Sequence, residues 1–191
     1  SPAAPPETGT TSFGRRLERI RAATLSLAAP LGAEDCALQS MADASPVKWH
    51  LAHTSWFFET FVLEPLASGY ETFHPAYRTL YNSYYNAVGD KHPRAERGLI
   101  SRPSLDDIGR YRTHVDAAMR KLLARKVPAS VAARIELGLQ HEQQHQELIL
   151  TDVKHLLSRS PLQPAYQPAR PPAPALRRRA KWVTYDGGLA E

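Results

Sequence analysis

The sequence predicts an all-α fold, a bundle of four main helices, and three observations carry that prediction. Apolar residues recur at helical spacing over long stretches, helix-opening residues stand at the head of those stretches, and a strand signal is confined to the last ten of the 191 residues. The first helix covers residues 12–28, where Phe13, Leu17, Ile20, Thr24 and Leu27 form one stripe before Pro30 stops the chain. Ser45-Pro46, an N-cap residue followed by proline, opens the second, which runs through VKWHLAHTSWFFETFVLE to about Glu64. Tyr77 to Val88 reads as a shorter third helix closed by Gly89. Ser104, with Asp106 and Asp107 in the first turn, opens a fourth running to about Lys126, and Pro128 starts the fifth, Ala129 to Ser158.

The flanks of the bundle (residues 12–158) differ from it in composition. Residues 1–11 lack periodicity and are expected to be a disordered lead-in, with neither the basic start nor the apolar core of a signal peptide. No apolar run approaches the roughly 20 residues of a membrane span, so no membrane partner is expected. A hydrophobic share of 42% with 23% charged residues is ordinary for a globular chain. The single cysteine, Cys36, excludes an intrachain disulfide and points to the cytoplasm. It falls in the loop before the second helix and is expected to be structural or incidental, not a nucleophile. The net charge of +5 suggests nucleic acid until its location is considered: six of the cations lie in the acid-free stretch Arg159 to Lys181, which also holds six of the 16 prolines. Residues 159–181 therefore read as a Pro/Arg-rich linker and not as a nucleic-acid arm. In the last segment, 182–191, Trp182, Val183 and Tyr185 suit a strand and Asp186-Gly187-Gly188 a tight turn, the expected start of a truncated C-terminal domain.

The fifth helix contains HEQQHQELIL, whose first five residues fit the H-E-x-x-H pattern of zinc proteases. Steps of about 100° per residue place Val131, Ile135, Gly138, His141, His145, Leu148, Ile149 and Leu156 on one inward stripe, so the two histidines converge inside the bundle. A protease would take its third ligand downstream, but no glutamate lies between Leu148 and Ala190, and His155 sits roughly 15 Å along the axis from His145. No sheet edge is available to hold a peptide either. The second helix offers the missing donor, with His50 and His53 one turn apart among Trp49, Trp56, Phe57 and Phe58; either completes a three-imidazole face. Such a face with open positions suits iron, zinc, nickel or copper. Glu59 and Glu142 are carboxylates that could orient ligand rings, though each also reads as an ordinary helix-surface residue.

Three segments in order, SPVKWHLAHTSWFFETF, YNSYYNAVGDKHPRAERGLISRPS and HEQQHQELIL, closely resemble the N-terminal DinB-like domain of the ergothioneine-synthesising sulfoxide synthases, or hercynine oxygenases. The resemblance covers about residues 12 to 158. It implies a DinB-like four-helix bundle with Fe(II) held by His53, His141 and His145, and it makes His50 a packing residue. It implies O2-dependent carbon–sulfur bond formation between hercynine (Nα-trimethylhistidine) and cysteine or γ-glutamylcysteine, giving a sulfoxide. By the same resemblance Gln144 contacts the hercynine imidazole, and Arg94 and Arg97 in HPRAER grip the carboxylates of the thiol substrate. The family's acid–base tyrosine and the groups holding the quaternary ammonium lie in a C-terminal domain resembling formylglycine-generating enzymes, which WVTYDGGLAE would begin. Nearer variants act on other substrates, as ovothiol synthases and a selenosugar-using branch, and other DinB-like bundles are divalent-metal thiol S-transferases.

Overall fold

The computed structural model describes residues 10–168, 181–184 and 186–188. Along the chain come α1 (Thr10–Ala28), α2 (Ala33–Ala37), α3 (Val47–Phe58), a π turn (Glu59–Leu63), α4 (Glu64–Leu66), α5 (Tyr77–Leu80), two 3-10 turns (Asn86–Val88 and Arg94–Leu99), α6 (Leu105–Leu123) and α7 (Ala129–Ser158). Among the described residues there is no strand. α1 packs on α7 and α6, and α3 packs on both α6 and α7, so these four form the bundle. No helix of the described residues is long and apolar enough to cross a membrane.

The helix starts follow their caps. Ser104 Oγ accepts from the Asp107 N–H (3.1 Å) while the Asp107 carboxylate accepts from the Ser104 N–H (2.8 Å), a reciprocal capping box. α7 starts at Ala129, directly after Pro128. Ser45 does not cap α3: its Oγ accepts from Arg97 Nη1 and its N–H donates to Asp152, which leaves Pro46 in the capping position. The second helix continues past Phe58 through the π turn, where the Glu64 N–H reaches Glu59 O. Pro65 follows at once and, lacking an N–H, cannot bond to the carbonyl four residues back.

Several expectations need correction. The third helix is not continuous over Tyr77 to Val88: α5 ends at Leu80, and a separate 3-10 turn holds Asn86–Val88 before Gly89. Tertiary bonds take over there, with buried Asn82 donating to the carbonyls of Tyr85, Gly89 and Asp90 at 3.0–3.3 Å. Cys36 lies in the short helix α2 and not in a loop; it is buried, and burial pushes its thiol up to about 11, which suits a structural residue. Thr10 and Thr11 already belong to α1, while residues 1–9 of the expected lead-in lie outside the described residues. The expected linker begins packed on the bundle, since Tyr166 donates its hydroxyl to Leu27 O at 2.6 Å; residues 169–180 lie outside the description. Trp182 and Val183 are exposed and carry no secondary structure, and Tyr185 is outside the described residues.

α3 is the middle of the protein, with every residue from Val47 to Phe58 buried, as befits a helix apolar around most of its girth. It approaches α7 closely at Gly138, where an added Cβ would stand 2.5 Å from Phe58 Cε1. The inward stripe of α7 is Val131, Ile135, Gly138, Leu139, Glu142, His145, Ile149 and Val153; of the anticipated residues, Leu148 and Leu156 fall outside it and His141 is only half-buried at its edge. Glu142 is not a surface carboxylate. It has no exposed area and accepts from Arg21 Nη1 (3.0 Å), Thr24 Oγ1 (2.8 Å) and Arg112 Nη2 (3.1 Å). Arg21 also donates to Asp116 and Ser55, and Arg112 to Leu51 O and Thr54, so one ionic cluster joins α1, α3, α6 and α7. Glu59 is also buried, accepting from the hydroxyls of Tyr70 and Tyr111 and from the Phe73 N–H.

Two predictions follow from this packing. Gly138→Ala should destabilise the fold by about 1–3 kcal/mol through overpacking against Phe58, whereas Gly109→Ala, at an exposed position of α6 with open space around it, should stabilise it by up to about 1 kcal/mol; urea unfolding of both measures the contrast. Glu142→Gln leaves two buried guanidiniums without their shared anion and should cost about 3–5 kcal/mol in the same assay.

Candidate metal centre

One turn of α3 and one turn of α7 face each other across the core. α3 presents His50 and His53, three apart, and α7 presents His141 and His145, four apart, so each pair shares a helix face. Ligand atoms of His53, His141 and His145 all lie within 4.8 Å of one another. That is wider than the roughly 4 Å that bonds of about 2 Å to one metal would set. The closest pair, His53 Nε2 and His141 Nε2, is 3.2 Å apart. His53 points inward as expected, but so does His50. His50 is more than a packing residue: its Nδ1 is 2.8 Å from His145 Nδ1 and its Nε2 is 3.0 Å from Asp152 Oδ2.

Hydrogen bonding assigns the protons. His53 Nδ1 lies 2.6 Å from Tyr81 O, a carbonyl that only accepts, so His53 carries its proton there and turns a lone pair at Nε2 toward the cluster. The proton in the 3.2 Å contact with His141 Nε2 must then belong to His141. The buried Nδ1 of that ring has no hydrogen-bond partner among the described residues. Burial, the largest cause, followed for His53 and His145 by neighbouring imidazoles, pushes all three rings below the usual histidine range, His141 to about 4. At neutral pH they are uncharged donors. Three neutral imidazoles, with a lone pair already exposed on His53 Nε2 and one reached at His141 by moving its proton to Nδ1, fit a divalent transition metal.

An open cavity of about 470 Å³ borders these rings, lined by Trp49, Tyr84, Tyr85, Arg94, Arg97 and Gln144 as well. The expected site residues His53, His141, His145, Gln144, Arg94 and Arg97 thus share one pocket. Arg94 is exposed and donates to Tyr84 Oη (2.8 Å) and to Asp43 O. Arg97 is buried, lies 3.4 Å over the Trp49 ring, and donates only to the hydroxyls of Ser45 (2.9 Å) and Ser83 (3.4 Å). Trp49 stacks in turn on His53 at 4.5 Å and 14°. Among the described residues no carboxylate pairs with Arg97, its Nε has no partner, and burial lowers it to about 10. Neither Glu59 nor Glu142 bonds to a histidine ring of the cluster. His155 stands apart, 2.7 Å from Ser40 Oγ. The polar partner that sequence reasoning missed is Asp152, seven residues and two turns beyond His145 on the same face; that spacing was its available signal.

Loading should be measurable as stability. A divalent ion at 100 times its Kd should stabilise the protein by about 2.7 kcal/mol, read as a rise in the thermal midpoint that a chelator reverses. His53→Ala should abolish the rise, and His155→Ala should leave it intact.

Among curated proteins none matches the chain. The sequence model of the DinB superfamily matches residues 16–149, from the second turn of α1 to the turn of α7 beyond His145. The chain belongs to the DinB superfamily.

Proposed function

We propose that this chain is the metal-binding part of a non-haem Fe(II)- and O2-dependent oxidoreductase, a sulfoxide synthase joining hercynine to cysteine or γ-glutamylcysteine. The observation that carries the reading is Arg97, a buried cation without a carboxylate partner among the described residues, on the wall of the pocket that the three histidines border. A buried charge left unpaired is costly, and an anionic substrate group placed beside it recovers that cost. Iron bound by the three neutral imidazoles would supply the sites for thiolate and O2 and the redox chemistry between them. In the overall change one imidazole C–H and one S–H are lost, and one C–S and one S–O bond form. O2 takes up four electrons, leaving one oxygen on sulfur and one in water.

The protein groups divide the remaining work. Arg97, fixed by Trp49 and two serines, offers a planar fork to the thiol substrate's carboxylate. Arg94, already held by Tyr84 and Asp43 O at the rim, supports it at longer range. Gln144, one residue before His145 and lining the same cavity, offers an amide to the hercynine ring. On this reading the acid–base tyrosine comes from a further domain, so binding is the more direct measurement for this chain.

Arg97→Ala in the Fe(II)-loaded protein should weaken cysteine or γ-glutamylcysteine binding by about 1.5–3 kcal/mol, with hercynine affinity little changed, as titration calorimetry under nitrogen would report. Equal losses for both ligands would reject the assigned division of the pocket. Thiol consumption without O2 uptake would instead favour the S-transferase chemistry of other DinB-like bundles.

A further inference from the structure

His50 and Asp152 are buried or nearly so and belong to different helices; His50 touches the cluster at His145 without joining it, and Asp152 touches His50. Asp152 Oδ2 accepts from the Ser45 N–H at 2.9 Å, which pins the carboxylate at the entry to α3. The same oxygen stands 3.0 Å from His50 Nε2. An ionised carboxylate only accepts, so His50 Nε2 is the donor. A neutral imidazole has one N–H, which leaves a lone pair on His50 Nδ1. That lone pair faces His145 Nδ1 at 2.8 Å, so the proton between the rings belongs to His145. His145 is then left with its lone pair on Nε2, and because Nδ1 is engaged by His50 this is the nitrogen free to join the cluster of His53 and His141. With the opposite polarity His145 would carry its proton on Nε2 and block a metal bond.

The other two rings are supported differently. His53 donates to a backbone carbonyl, and His141 Nδ1 has no partner among the described residues. Only His145 is backed by an anion, relayed through a second imidazole, an arrangement that fixes ring orientation and raises ligand basicity.

We propose that Asp152 and His50 are a positioning pair that holds His145 in its metal-binding tautomer, so that affinity at the centre depends on two residues that do not contact the metal. The inference rests on the three histidines being a metal site, but not on the identity of the substrates.

The test combines a tautomer measurement with metal binding. In the metal-free full chain, long-range proton–nitrogen NMR correlations should show His145 protonated at Nδ1. In Asp152→Ala and in His50→Phe, which keeps an aromatic ring but removes both nitrogens, that proton should move to Nε2 or be shared between the nitrogens. Anaerobic competition between each protein and a chromogenic chelator for Fe(II) should show affinity reduced by roughly 10- to 100-fold in both variants. Asp152→Asn, which can still accept from His50, should keep the Nδ1 proton and lose less affinity than Asp152→Ala. Circular dichroism and thermal melts identify any variant that fails to fold, and Asp152→Asn then decides by its tautomer. A His145 proton at Nε2 in the unaltered protein, or an unchanged tautomer and Fe(II) affinity in folded Asp152→Ala, would overturn the proposal. Failure of the unaltered protein to bind Fe(II) while showing the expected tautomer shift would reject the metal reading and leave the pair's control of His145 standing.

Discussion

The Glu142 carboxylate is the constraint on which the arrangement depends. It has no exposed surface, so its charge must be met inside the protein, and Arg21 from α1 and Arg112 from α6 meet it. Arg21 also donates to Ser55, and Arg112 to Thr54 and Leu51 O, all on α3, so all four bundle helices are fixed in relative register. The attraction holds the carboxyl down at about 2 although burial, the largest effect on it, acts in the opposite direction. Such a cluster is poor evidence for net stability, because desolvation consumes most of the Coulombic gain. Its geometric consequence is firmer. Glu142 is one residue from His141 and three from His145, so fixing its direction fixes the rotation of α7 and aims both histidines at α3.

A second consequence comes from water exclusion. Arg97, Trp49, His53 and Trp56 form a column of stacked planar groups, with Trp49 and Trp56 on the two faces of the His53 imidazole. The indoles exclude water from that ring, which keeps it neutral, and the same low-polarity wall leaves the Arg97 guanidinium without solvent to neutralise it. Neutral nitrogen donors and a cation in want of an anion are therefore products of one packing arrangement. A pocket with both properties suits a ligand that brings a carboxylate and a metal-binding atom together.

The helices whose signals are local were legible in the sequence. α6 has its capping box, α7 has a proline before it and a long apolar period, and α1 has a clear stripe. Failures occurred where tertiary bonds overrode local preference. Asn82 and the Tyr81 carbonyl are committed to the loop and to His53, so the segment after Leu80 cannot continue as a helix. The three histidines and the two arginines were legible because their spacing and motifs stand out. Arg21, Arg112, Glu142 and Asp152 were not. Charged residues are surface residues by default, and only the fold shows that these four have found each other, or a histidine, in the interior.

The unequal support of the three rings bears on how the centre would accept a metal. His53 and His145 are each held at Nδ1, by a carbonyl and by His50, so their free nitrogens are preset. His141 has no such hold at Nδ1 among the described residues, where its ring packs tilted 4.7 Å from Phe57, and it is the least buried of the three. It also carries the proton that bridges to His53. Loading the site therefore requires one tautomeric change, at the ring with the fewest restraints, while the other two keep their orientation. That ring borders the open cavity, where the proton has a route to solvent. The entropy of fixing His53 and His145 is met during folding, and the adjustment left for metal binding falls on a single side chain.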